Sequence, residues 1–83
     1  MNRPEIEIGM IDGVWVRQMH FLNEGDTEMG HMHTHNHITL LAKGSLRVTV
    51  EGQVSEYTAP KLIFVHKDNM HELVALESDT LAY

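Results

Sequence analysis

The sequence predicts an all-β fold, a small barrel or jelly roll, and three observations carry that expectation. Helical periodicity is absent along the 83 residues. Short runs alternate apolar and polar residues with the period of two that a half-buried strand requires. Glycine, asparagine, aspartate and proline interrupt these runs at close intervals, as tight turns demand. Many short antiparallel strands leave exposed edges, and closure or face-to-face packing is how so short a chain protects them.

In order along the chain, Asp12-Gly13 marks a turn and Val14 to Leu22 reads as a strand. Asn23-Glu24-Gly25-Asp26 is the next turn, and a long strand is expected from His31 to Lys43, ending at Lys43-Gly44. Ser45-Leu46-Arg47-Val48-Thr49-Val50-Glu51 is the clearest strand, with Leu46, Val48 and Val50 on one side and Arg47, Thr49 and Glu51 on the other. The glycine turn Glu51-Gly52-Gln53 leads into Val54 to Thr58, which predicts a hairpin. After Ala59-Pro60 come Leu62 to His66, the turn Lys67-Asp68-Asn69, His71 to Leu76, and Thr80 to Tyr83.

The length predicts one domain over residues 1–83, near the lower end of what one hydrophobic core stabilises without a metal or a partner. A homodimer is expected from that small core and from apolar N-terminal and C-terminal strands. Cysteine is absent, so any metal takes nitrogen or oxygen ligands. The net charge of -6, with six Lys and Arg scattered singly, offers no basic stripe and argues against nucleic acid. No apolar run is long enough to span a membrane, and the start Met1-Asn2-Arg3-Pro4-Glu5 lacks a signal-peptide core. A soluble, cytoplasmic protein is the expectation.

One stretch carries the chemistry. In Gly30-His31-Met32-His33-Thr34-His35-Asn36-His37 every second residue is histidine, and a continuous strand would turn all four imidazoles to one side. Neutral imidazole is the commonest metal ligand, so the run reads as a metal site. A solvated polar strand that chelates weakly at the surface is the competing reading.

Gly25, five residues, His31, one residue, His33, three residues, position 37, six residues and Gly44 resemble the first cupin motif, with His37 where cupins carry a glutamate. The stretch from Pro60 to His71 resembles the second motif in outline. His71 matches its histidine, whereas Pro60, His66, Asp68 and Ala75 replace its glycine, proline, glycine and asparagine. The resemblance covers roughly residues 13–77 and implies a cupin-type jelly-roll barrel. It implies that His31, His33, His37 and His71 together hold one divalent transition metal ion: Mn, Fe, Ni, Cu or Zn. With His37 in place of the carboxylate, such an ion keeps its full charge and is a stronger Lewis acid.

Other residues receive plainer expectations. His35 is either a pocket-lining neighbour of the ligands or a rim residue at a bulge, His66 caps or packs at the turn before His71, and His20 is a satisfied core or interface residue. Met19, Met29, Met32 and Met70 are packing residues. Trp15 and Tyr57 are expected to be buried. Glu5, Glu7, Glu24, Asp26 and Glu28 are expected to solvate turns and rims.

Two functions stay open. The resemblance implies a small metalloenzyme, an oxygenase, isomerase or lyase, for which His35, Glu56 and Tyr57 are the candidate acids or bases and the catalytic residues are unassigned. The other reading is a non-catalytic barrel that binds a metal or small ligand, or serves as a structural module; the few residues after His71 leave little chain for a lid.

Overall fold

The computed structural model describes residues 2–31, 36–67 and 70–83, with residues 11, 30 and 31 described at the backbone. Its strands are β1 (Glu5–Ile11), β2 (Val14–Phe21), β3 (Thr27–His31), β4 (His37–Lys43), β5 (Ser45–Val50), β6 (Gln53–Thr58), β7 (Lys61–Val65), β8 (His71–Ala75) and β9 (Thr80–Ala82). They form two antiparallel sheets of order β1-β2-β9-β4-β7 and β3-β8-β5-β6. No helix occurs among the described residues, as the all-β expectation requires.

Turn chemistry explains the hairpins. Asp12 and Gly13 (φ 49 and 79°) join β1 to β2, and Glu51 and Gly52 (φ 48 and 81°) join β5 to β6. Two consecutive positive φ values give the twist that antiparallel neighbours need across a two-residue loop. At the corner between β4 and β5, Gly44 has φ 85°, and a Cβ there would lie 2.2 Å from Thr80 Oγ1 and 2.8 Å from Thr80 Cα. Glycine is therefore required where the chain passes β9.

The core lies between the sheets. Met19, Phe21, Leu41, Ile63, Val65 and Ala82 enter from the five-stranded sheet, and Leu46, Val48, Leu73 and Ala75 from the four-stranded one. In β5 the expected alternation holds: Leu46 and Val48 are buried and Arg47 is exposed. Buried Thr80 donates to the Glu77 carbonyl at 2.9 Å, and the Asn23 amide donates to Asp26 at 3.1 Å. Asp26 is thus a buried turn residue rather than a solvated one, its carboxylate accepting the amide of Asn23 within the turn.

Three expectations are corrected. The single strand from His31 to Lys43 is two: β3 ends at His31 in one sheet, and β4 begins at His37 in the other. A register shift between Glu28 and His31 already bends β3 as it leaves its sheet. Second, strand extends beyond the expected segments: β1 precedes the Asp12-Gly13 turn, and β3 starts at Thr27. Third, Trp15 is 55% exposed. It sits on the β1–β2 hairpin at the edge of its sheet, beyond the part that the opposite sheet covers.

Candidate metal centre

Two strands from different sheets place the histidines. His71 opens β8 and alternates inward with Leu73 and Ala75; its neighbours across the ladder are His31 of β3 and Val50 of β5. His37 opens β4, opposite Val65, and shares the inward face with Thr39 and Leu41. The sheets face each other, so these two side chains meet at one end of the barrel. Their ring centroids are 5.3 Å apart with planes inclined at 54°, and both Nδ1 atoms are buried.

This arrangement fits a shared ion. Two imidazoles bound at about 2.1 Å with a tetrahedral angle between them hold their ring centroids about 5 Å apart, and they need not be coplanar. Imidazole nitrogens suit a first-row transition metal. Of the four sequence-predicted ligands, His37 and His71 are brought together and the backbone of His31 lies directly across from His71. His33 and the neighbouring His35 lie outside the described residues, as does Met32. Among the described residues no three His, Cys, Asp or Glu side chains converge.

Each histidine lines a cleft of its own. One, of about 470 Å³, is lined by His71 with Met29, Thr49, Glu51 and Met70. The other, of about 390 Å³, is lined by His37 with Trp15, Arg17, Thr39 and Tyr83, where β9 has ended and no strand lies between β2 and β4. Met29 and Met70 are half exposed at the first mouth instead of packed, whereas Met19 is in the core. Arg17 Nη2 lies 3.3 Å from Glu28 Oε2, so Glu28 is an ion-pair partner rather than a free rim charge.

Local contacts fix both histidines from the residue beside each. The Lys67 amide donates to Asn36 Oδ1 at 2.8 Å, tying the start of β4 to the turn after β7. The Met70 amide donates to Glu51 Oε1 at 2.7 Å, and the Glu51 amide donates to the Met70 carbonyl at 3.1 Å, tying the start of β8 to the β5–β6 turn. Arg17, Asn36 and Glu51 were not singled out in the sequence as parts of the site. Adjacency to His37 would have pointed to Asn36; nothing local points to Arg17 or Glu51.

Glu56 and Tyr57 do not reach the site. They pair with Arg47 and Leu46 on β5, whereas His71 pairs with Val50, about 10 and 13 Å further along that strand. Glu56 forms an exposed ion pair with Arg47, and partly buried Tyr57 lies against the core with Lys61 near its ring. His20 Nε2 is 2.6 Å from Asp79 Oδ1, which makes it a satisfied surface residue. Lys43 also bonds Asp79, and the Lys43 ammonium, followed by His20, holds the Asp79 carboxyl below its ordinary value. His66 is exposed, and the amide beyond it is capped by Asn36 rather than packed under the His66 ring.

No family model matches the sequence, and no curated protein matches it. Solved structures match its fold. KdgF from Halomonas sp. superposes with a TM-score of 0.72 at 23% identity, over 99% of this chain and 67% of that one. A cupin superfamily protein from Desulfitobacterium hafniense gives 0.78 at 12% identity, over 99% and 77%. An RmlC-like cupin with a double-stranded β-helix fold, from Methanocaldococcus jannaschii, gives 0.78 at 16% identity, over 99% and 79%. With two antiparallel sheets enclosing one core and paired histidines at one end, the chain has the cupin fold.

Proposed function

We propose that this chain is a metal-binding cupin barrel in which His31, His33, His37 and His71 hold one divalent transition metal ion, Mn, Fe, Ni, Cu or Zn, and present it to a small molecule. The observation that carries this reading is the approach of His37 and His71 from opposite sheets, at a separation suited to one ion. The bound ion would act as a Lewis acid toward an oxygen-bearing ligand.

The protein's own groups supply the rest. The side chains of Met29 and Met70 give the His71 cleft an apolar mouth. Arg17 gives the His37 cleft a guanidinium that can orient an anionic group, beside the apolar wall of Trp15. The exposed linings on both sides favour a site reached by small molecules over a sealed structural metal, and so favour a metalloenzyme over a structural module.

Metal analysis of the purified full chain tests the reading. About one first-row ion per chain is expected, with His37→Ala and His71→Ala each lowering the content. With Co(II) in the site, small anions should alter the visible spectrum. No stoichiometric ion after reconstitution rejects the centre; a bound ion whose spectrum ignores added ligands selects the non-catalytic module.

A further inference from the structure

The two clefts differ in charge. The one lined by His71 carries the carboxylates of Glu51 and Glu72 and no lysine or arginine among its lining residues. The one lined by His37 carries Arg17 and no aspartate or glutamate side chain. In a chain of net charge -6, an anionic ligand is therefore received on the His37 side.

Arg17 stands where the fold otherwise places core. Residues 15, 17, 19 and 21 share one face of β2, and Met19 and Phe21 are in the core. Its neighbours hold the guanidinium without using it up. Nη2 donates to Glu28 Oε2 at 3.3 Å, longer than the about 2.7–2.9 Å of a tight charge-assisted bond. Nη1 lies 3.5 Å from Met19 Sδ, a weak acceptor. A guanidinium is a planar fork of donors that matches two oxygens lying in one plane, and a carboxylate supplies them.

The rest of the cleft shapes the body of such a ligand. Tyr83 bonds Leu40 on β4, and beyond it β2 and β4 flank an opening with no strand between them among the described residues. Trp15 stands on one side of that opening, on the same face of β2 as Arg17, with Met19 and Tyr83 further along the lining. A cavity of about 390 Å³ with aromatic and thioether walls suits a small molecule with a flat apolar part.

We infer that the His37 cleft takes a small organic carboxylate with a flat apolar body, entering through the gap between β2 and β4, its carboxylate on the Arg17 fork and its body along Trp15. This rests on the proposed reading of the barrel as a small-molecule site and names the ligand class for it. Glu28 is then a positioning residue, which holds the guanidinium from the opposite sheet.

Trp15 is the one tryptophan of the chain, so its fluorescence reports this cleft. Benzoate is the probe, titrated into the metal-free and the metal-loaded full chain, and it should change the emission saturably in both. Benzamide, flat but uncharged, should bind about tenfold more weakly or worse. Arg17→Gln should weaken benzoate by a similar factor, whereas Arg47→Gln, the same change of charge on an exposed pair with Glu56, should leave it as in the parent. No saturable change, equal binding of benzamide and benzoate, or equal effects of the two arginine variants would each overturn the inference, and the first two need no variant to fold. The metal reading fails separately. Benzoate binding that follows Arg17 in a chain that holds no ion keeps this site and removes the centre, and a bound ion with benzoate indifferent to Arg17 does the reverse.

Discussion

Gly44 is placed where two requirements coincide: its φ of 85° lies in the left-handed region, and its Cα faces the Thr80 backbone too closely for a Cβ. Each requirement alone disfavours a side chain. Gly44→Ala should therefore lower unfolding stability by about 2 kcal/mol or more, read by denaturant titration. Asp79 offers a test of charge at the same scale. Its carboxyl is held below the ordinary 3.8 by Lys43 and His20, so the folded state favours the ionised form. That stabilisation is present above pH 3.8 and is lost as pH falls through the depressed folded value. Asparagine also tolerates the positive φ of residue 79, so Asp79→Asn isolates the charge. The variant should melt below the parent at neutral pH, with the gap closing in acid; a gap independent of pH would remove the ion pair as its cause.

At the scale of elements, the β5–β6 hairpin and β8 were legible because alternation and a glycine turn are local signals. The break between β3 and β4 was not. Histidine at every second position from 31 to 37 has the period of a strand, and a strand and a crossing between sheets look alike at that period. His31 and His37 instead belong to opposite sheets, and His37 and His71 bring one imidazole from each sheet to one end of the barrel. The motif spacing named His37 and His71, which the fold brings together, but it carried no information on Glu51, whose role depends on a turn meeting Met70 from another strand. Glu51→Ala should cost about 1–2 kcal/mol through the lost amide acceptor and should also weaken metal binding, since the residue before His71 is then untied. Melting of the metal-free variant and metal titration separate the two effects. β1 carries both kinds of local signal, a strand's alternation and the turn at Asp12-Gly13 after it.

For the whole molecule, an ion held by His37 and His71 would tie one sheet to the other across a small core. Chelation should then lower the melting temperature of the full chain, and added metal should raise it with its logarithmic concentration once sites are filled. An unchanged transition would show that the sheets are held by the apolar core alone. The position of Tyr83 bears on how such measurements are made. Its amide and carbonyl bond Leu40 beside β4, and its side chain lines the same cleft as His37. A polyhistidine tail fused after Tyr83 would begin at the mouth of that cleft and carry rival imidazoles to the centre, whereas a removable tag ahead of Asn2, whose carbonyl accepts the Thr27 amide on the other sheet, starts elsewhere. Purification from the amino end therefore keeps the ion count that of the barrel itself.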